Sequence, residues 1–322
     1  MVWTHHHIRL GGCSVSLILK ELAADYSARC DGKAADIRRV PPYRQFIAWL
    51  KRQDNAEAEA IWRAALKGFA TSTRLGATDA PSRVRATATH RSMLSAESTT
   101  AIDLFARRHG LTMNTVVTAA WALLLSRATQ QERVLFGASS SGRPTELEGV
   151  ESMVGLFAAP LPMPIRVTPQ SPLLSWLGEL QDQLLTLRKH QHASLADIQG
   201  WSEVPPSEPM FQSLVAFENY PLDDSANADT RWLGIDRAEL VEQTNYPLVV
   251  TIVPVAEMVI ILTYDVDRFD GESIARLAHS FENIFPAMIA AQEFAVSQLL
   301  GAVDIAGAGE EHDRVAKARA HR

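Results

Sequence analysis

The sequence predicts a mixed α/β protein with two lobes, and three observations indicate this class. Stretches with apolar residues at helical spacing alternate with short runs that favour strands along most of the chain. Of the 322 residues, 47% are hydrophobic and 21% are charged, which is sufficient for a large buried core. A polar stretch without periodicity interrupts the pattern at residues 70–83, where we expect a linker between the lobes.

Before this linker, the pattern predicts one strand and three helices. Residues 2–8 are compatible with a strand that ends at Gly11 and Gly12, and Ser14 then caps a helix. An apolar stripe of Val15, Ile18, Leu19, Leu22 and Tyr26 supports that helix. Two further helices are expected at residues 43–51 and 56–66, after a loop at Pro41 and Pro42. We therefore assign residues 1–69 to the end of a first lobe.

After the linker, residues 84–300 form the predicted second lobe. Helices are expected at residues 95–109, 114–128, 172–189 and 271–291. Strands are expected at residues 84–93, from Val134 onward, at 161–167, and two or three times between 211 and 264. Residues 301–322 are small, charged and aperiodic, so we expect a tail or linker there.

Composition and charge argue against several classes of protein. The net charge is −6 and the arginines are scattered, so no basic surface for nucleic acid is expected. No apolar run reaches the roughly 18–20 residues of a membrane span, and the first ten residues lack the features of a signal peptide. Cys13 and Cys30 are too few for a disulfide framework. We expect a cytoplasmic protein.

Three consecutive histidines, His5 to His7, stand shortly before the two glycines. On a strand, His5 and His7 would share one face and His6 the other, so the three cannot bind one metal ion together. Two of them could supply half of a zinc site, but no further ligand lies nearby. A remnant of an expression tag is another interpretation. A third is a histidine at the end of a strand that acts as a base or hydrogen-bond donor.

Motifs along most of the chain resemble those of the condensation domains of non-ribosomal peptide synthetases. The segment "WTHHHIRLGGCSVSLILKELAADYSA" is similar to the region of the HHxxxDG motif of that family. The segments "YRQFIAWLKRQD", "AEAIWRAAL", "VLFGASSSGRP", "GVESMVGLFAAPLP", "RKHQHASLADIQGW", "PMFQSLVAFENYP" and "TNYPL" resemble later family blocks, in the family's order. The resemblance covers residues 2 to about 304.

This resemblance implies a chloramphenicol-acetyltransferase-like fold, with two lobes and a tunnel between them. The family joins an acyl donor to an amine acceptor, each tethered to a carrier protein through a phosphopantetheine arm. No metal and no further cofactor is implied. The family's functional histidine falls on His7, beside His6, and it orients or deprotonates the amine or stabilises the tetrahedral intermediate. Gly12 keeps the last position of the motif.

The chain departs from the family at a charged pair. Gly11 stands at the aspartate of the motif, which in the family is held by an arginine from a later block. Our alignment of that block places Ala159 and Pro160 at its Asn-Thr positions and Pro164 at its arginine. Losing one member of a buried pair strands the other, at a cost of about 3–5 kcal/mol, whereas losing both can be neutral. Arg166, two residues after Pro164, could be a shifted substitute.

A second departure concerns length. In the family, a first lobe of more than about a hundred residues precedes the motif, whereas only ten residues precede Gly11 here. We expect most of that lobe to be missing and the chain to be inactive alone, with carrier domains and a separately encoded first lobe as partners. A docking fragment without catalysis and a remnant of a split synthetase gene are the alternatives. An epimerisation domain is disfavoured, because "GVESMVGLF" and "NYPL" resemble the condensing branch.

Overall fold

A computed structural model describes residues 3–35, 39–75, 86–218 and 245–302. The helices in these ranges are α1 (Gly12–Cys30), α2 (Arg44–Leu50), α3 (Asn55–Ala65), α4 (Ala96–Arg108), α5 (Met113–Thr129), α6 (Leu173–Lys189), α7 (Leu195–Gly200), α8 (Gly271–Ala290) and α9 (Val296–Ala302). The strands are β1 (Thr87–Met93), β2 (Arg133–Ser140), β3 (Ala159–Arg166), β4 (Ser213–Phe217), β5 (Leu248–Val253) and β6 (Val259–Asp265). A short 3-10 helix covers Val150–Ser152.

The described strands form one six-stranded sheet in the order β1-β6-β5-β4-β2-β3. Strands β2, β4 and β5 run parallel, and β6 lies antiparallel to both β5 and β1. The sequences of β5 and β6, "LVVTIV" and "VIILTYD", are rich in the β-branched residues that suit a sheet covered by helices. This arrangement leaves β1 and β3 as the two edge strands.

The main hydrophobic core is built around α5, which is buried on all sides. Every residue from Thr115 to Ser126 is buried, and the helix begins where the Thr112 side chain accepts a hydrogen bond from the Thr115 N–H. Trp121 of α5 meets Phe281 of α8 edge to face, with ring centroids 5.6 Å apart. The sheet and the helices around it therefore enclose a continuous core.

The chain divides into two compact units. The first contains the described residues up to Asp54 and residues 141–159, and the second contains the other described residues. Helix α3 therefore belongs to the second unit, where Trp62 donates to the His190 carbonyl at 3.2 Å and the Leu135 N–H donates to the Thr73 hydroxyl at 2.8 Å. The lobe boundary expected at residues 70–83 stays a prediction.

Most predicted helices and strands are confirmed within two or three residues. The helix predicted at 114–128 is α5, and the one predicted at 271–291 is α8. Three strands lie between residues 211 and 265. Residues 76–83 of the predicted linker, the first two residues of the strand predicted at 84–93, and almost all of the predicted tail (303–322) lie outside the described residues. The strand predicted at 2–8 is wrong, because residues 3–10 have no strand.

Candidate functional site

The histidine segment is an irregular stretch with a turn at residues 7–9. The His6 ring nitrogen Nδ1 accepts from the Ile8 N–H at 3.1 Å, and the His6 carbonyl accepts from the Arg9 N–H at 3.0 Å. These local bonds turn the backbone back on itself instead of leaving it free for a ladder with another strand. The predicted alternation of the histidines between two faces of a strand is therefore wrong.

The three histidine side chains differ in their surroundings. His5 is partly buried, and its ring centroid lies 5.1 Å from that of Trp3. His6 and His7 are exposed. Within the described residues, no hydrogen bond or ion pair holds the His7 imidazole. The candidate catalytic side chain is thus accessible, and no neighbour among the described residues fixes its orientation.

Gly11 is the N-cap of α1, four residues after His7. It is buried, in an extended conformation with φ −97° and ψ 169°, and it supplies no side-chain cap. A Cβ atom added there would lie 3.8 Å from Leu156 Cδ1 and 3.9 Å from Ala158 Cβ, which is ordinary contact. The backbone and the immediate surroundings therefore tolerate a side chain at the position of the motif's aspartate.

Ser14 lies in the first turn of α1 and is not its cap, contrary to the sequence prediction. Its hydroxyl is 1% exposed and forms two bonds to one residue: it donates to the Gly155 carbonyl at 2.7 Å and accepts from the Gly155 N–H at 3.0 Å. One hydroxyl thus satisfies both main-chain groups of a buried glycine. The start of α1 is thereby joined to residues 141–159 of the same unit.

A buried arginine lies beside this contact. Arg143 is 7% exposed, and its guanidinium donates to the carbonyls of Val150 and Met153, the latter at 2.9 Å. It also lies 3.5 Å from the Ser14 hydroxyl and 4.1 Å from the centroid of the Phe157 ring. Carbonyl oxygens and an aromatic face stabilise a cation, so this arginine is accommodated without a carboxylate among its described contacts.

Sequence reasoning missed Arg143, because the alignment placed the family's arginine at Pro164. A signal was available: the segment "SGRP" stands at the end of the run "VLFGASSSGRP" predicted as a strand, and it follows directly after the observed strand β2. Gly142 has φ +62°, and a Cβ atom there would overlap the Phe157 carbonyl, so glycine is required beside the arginine. The sequence "GR" therefore marks a tight turn that directs a cation inward.

An aromatic cluster holds the other side of residues 141–159. The Tyr43 hydroxyl donates to the Leu156 carbonyl, and burial raises the pKa of Tyr43. The Phe157 ring lies 5.0 Å from Tyr43, edge to face, and 4.6 Å from Phe46 of α2. Together with Val150 and Met153, these rings form a small core of their own. The segment is therefore fixed from two sides, by Ser14 and Arg143 and by the rings.

The other residues of the predicted site lie on β3. Pro164 is buried, and its carbonyl accepts from Gln183 Nε2 of α6 at 2.7 Å. Arg166 is exposed, and its carbonyl accepts from the indole of Trp176 at 2.8 Å. These two residues have structural roles at the edge of the sheet.

The described residues offer neither a metal-binding cluster nor a membrane span. No group of three or more histidine, cysteine, aspartate or glutamate residues is close enough there to hold a metal ion. No helix in the same ranges is long and apolar enough to cross a membrane.

Comparison with known sequences identifies the family. A family model described as the condensation domain matches residues 1–303. One of the linear gramicidin synthase proteins of Brevibacillus parabrevis is 39% identical over 313 residues, which cover 96% of this chain and 4% of that protein. Surfactin synthase subunit 3 of Bacillus subtilis is 33% identical, over 86% of this chain and 22% of its own length. The chain therefore spans a small part of the synthetases that it matches.

Solved structures share the fold at low sequence identity. The X-domain from teicoplanin biosynthesis, solved in a complex with OxyB, matches with a TM-score of 0.73 and 21% identity over 93% of this chain and 68% of its own. The first condensation domain of the calcium-dependent antibiotic synthetase matches with a TM-score of 0.73 and 18% identity, over 91% and 67%. The fold is thus the chloramphenicol-acetyltransferase-like fold of these domains. With the family match over residues 1–303, this shows that the chain belongs to the condensation-domain family of non-ribosomal peptide synthesis.

Proposed function

We propose that this chain serves amide-bond formation between an acyl donor and an amine acceptor, each tethered to a carrier protein domain. The observation that carries the proposal is the accessible His7, four residues before the glycine at the N-cap of α1. An imidazole in this place can take a proton from the attacking amine, or donate to the oxyanion that forms on the thioester carbonyl. The thiol of the donor arm is the leaving group.

We also propose that the chain does not by itself hold His7 in a productive orientation. The exposure of His7 and the lack of a described partner for its ring support this proposal. Gly11 supports it too, because it offers no carboxylate at the place where the family's motif carries one. Catalysis depends on holding a base within hydrogen-bond distance of the proton that it removes.

The experiment is product detection by mass spectrometry with an aminoacyl donor and an aminoacyl acceptor loaded on two carrier domains. The condensation domain of the calcium-dependent antibiotic synthetase serves as the positive control. We expect no amide product with this chain alone. Amide product that is lost in a His7→Ala variant but kept in a His6→Ala variant would contradict this proposal and show that the chain is an enzyme by itself.

A second candidate function is a binding module that recruits partners without catalysis. Helix α1 carries an exposed apolar stripe of Leu19, Leu22 and Tyr26, with exposed fractions of 42%, 47% and 47%. Their spacing places all three on one side of the helix, which is the pattern of a surface covered by another folded segment. The OxyB complex of the teicoplanin X-domain is a precedent for binding by a protein of this fold.

As the partner that covers this stripe, we propose a first lobe of the kind that the resemblance to condensation domains implies. About a third of each neighbour lies outside the match, since this chain covers 68% and 67% of two of them. We expect Leu22→Lys to abolish the binding of a purified first lobe from a related domain, measured by light scattering. Leu185→Lys, at an exposed leucine of α6, is the matched control. A first lobe that binds the Leu22 variant unchanged would contradict this occupant.

A further inference from the structure

The two edges of the six-stranded sheet differ in the number of main-chain groups that are available to pair with a further strand. A strand at an edge presents one row of main-chain N–H and C=O groups that its own sheet does not use. Strand β3 forms one edge and β1 the other.

The β3 edge is closed. Residues 160, 162 and 164 are prolines, and at the end of β3 the Val167 N–H donates to the Glu132 carbonyl beside β2 at 2.7 Å. In a regular strand the odd-numbered residues therefore face β2, and the even-numbered ones face outward. The prolines remove three of the outward N–H groups, and side chains of α6 occupy the carbonyls of Pro164 and Arg166. A further strand has almost no donors to pair with there.

The β1 edge is open. Two bonds define which residues face β6: the Leu94 N–H donates to the Met258 carbonyl at 2.9 Å, and the Val266 N–H donates to the Ala86 carbonyl at 3.1 Å. Since the register pairs Met93 with Val259, even-numbered residues exchange bonds with β6 throughout. The odd-numbered residues of β1, which point their N–H and C=O groups outward, are Thr87, Thr89, Arg91 and Met93.

These four residues are also exposed, and none of them has a hydrogen bond on its outward side within the described residues. Arg91 is the only Lys, Arg, Asp or Glu on β1, and no ion pair holds it in the described part of the chain. Threonine is a favourable strand residue, and Met93, 53% exposed, adds apolar surface at the end. The edge therefore combines four free main-chain positions with a single positive charge.

We propose that β1 is a docking edge for an extended polypeptide segment of a partner, which adds to the sheet as a seventh strand and places an acidic residue beside Arg91. Main-chain bonds supply the affinity in such a contact, and side chains supply the selectivity. A second copy of this chain fits less well, because the net charge of −6 on each copy makes the two repel each other.

The probe is a fluorescein-labelled heptapeptide of alternating threonine and valine with a central aspartate, titrated against the full chain by fluorescence polarisation. We expect binding that a central lysine weakens about fivefold. Arg91→Glu should reverse this preference. Thr89→Pro removes an outward N–H without loss of a bond to β6, and it should weaken binding about tenfold, whereas Thr89→Ala should have little effect.

Several results would overturn the proposal. One is the absence of binding of either peptide at concentrations near 1 mM, a very weak affinity. A second is equal binding by the Thr89→Pro and Thr89→Ala proteins. A third is a dimer of the chain that Thr89→Pro dissociates, since the edge would then be occupied by a second copy. The Arg91→Glu arm keeps every backbone group, so it tests the charge even if the proline variant fails to fold.

Discussion

In the first unit, the hydroxyl of Ser14 satisfies two buried main-chain groups, the N–H and the C=O of Gly155. Removing the hydroxyl leaves both groups without a partner, and each buried orphan costs about 1–3 kcal/mol. We expect Ser14→Ala to lower the free energy of unfolding of this unit by about 2 kcal/mol. Urea denaturation measures the change.

The matched control is Ser16→Ala, because the bond of the Ser16 hydroxyl in the described part of the chain goes to the Gly12 carbonyl of its own helix, at 3.3 Å. A loss at Ser14 that is no larger than the loss at Ser16 would show that Gly155 finds other partners.

Gly11 gives the second prediction at this scale. An aspartate there can cap α1, and it also reduces the conformational freedom of the unfolded chain. We expect Gly11→Asp to raise the free energy of unfolding by about 1 kcal/mol. Gly11→Asn keeps the capping group without the charge, so the difference between the two variants reports on the effect of a negative charge at the start of α1. Destabilisation by both variants would mean that the site does not tolerate a side chain.

His190 makes stability depend on pH. Burial is the largest cause that lowers the pKa of His190 from its ordinary value of 6.5; Glu57 opposes the shift, while His192 and Lys189 add to it. The folded state therefore binds fewer protons than the unfolded state at mildly acidic pH. This contribution to stability is complete above about pH 6.5 and is lost as the pH falls toward the lower folded pKa.

We expect His190→Gln to flatten the decrease in unfolding free energy between about pH 7 and pH 5, the range in which histidine titrates. Thermal unfolding across this range is the measurement. His279→Gln, at an exposed histidine of α8, should leave the slope unchanged. An unchanged slope in the His190 variant would assign the pH dependence to other groups.

At the scale of the elements, the sequence predicted best where packing and periodicity agree. The helix expected at 114–128 was found as α5. A long, mostly apolar run between a capping threonine and a polar end permits few alternatives. The strand expected at 2–8 failed, because a strand depends on a neighbour that sequence alone does not show. In its place, bonds to the ring and the carbonyl of His6 form a turn.

The candidate site was only partly predictable for a related reason. His7 and Gly11 belong to one short motif, so their proximity follows from the sequence. Arg143 lies 129 residues from Ser14 along the chain, and the bonds that bury it go to main-chain carbonyls. Carbonyls carry no signal in the residue types, so the position of a buried cation among them cannot be deduced from composition or spacing.

Helix α3 belongs to the compact unit that contains the sheet and not to the unit that contains the histidine motif. Trp62 is fully buried, and its indole donates to the His190 carbonyl. We expect Trp62→Ala to cost about 3–5 kcal/mol and to destabilise the sheet-containing unit. Trp49→Ala, in α2 of the first unit, should not destabilise the sheet-containing unit. Hydrogen exchange of β5 and β6 distinguishes the two, and equal loss of protection would contradict the division.

For the molecule as a whole, we expect the condensation-domain fold to be firmly packed around its sheet and the histidine motif to be loosely held. Hydrogen–deuterium exchange of the full chain, read by mass spectrometry, tests this most directly. The amide of His7 has no acceptor in the described residues, and its side chain is exposed. We expect peptides covering residues 3–10 to exchange within seconds, while α5 and β5 remain protected for hours. Slow exchange at residues 3–10 in the chain alone would contradict the claim, because it would show a histidine segment that is already organised.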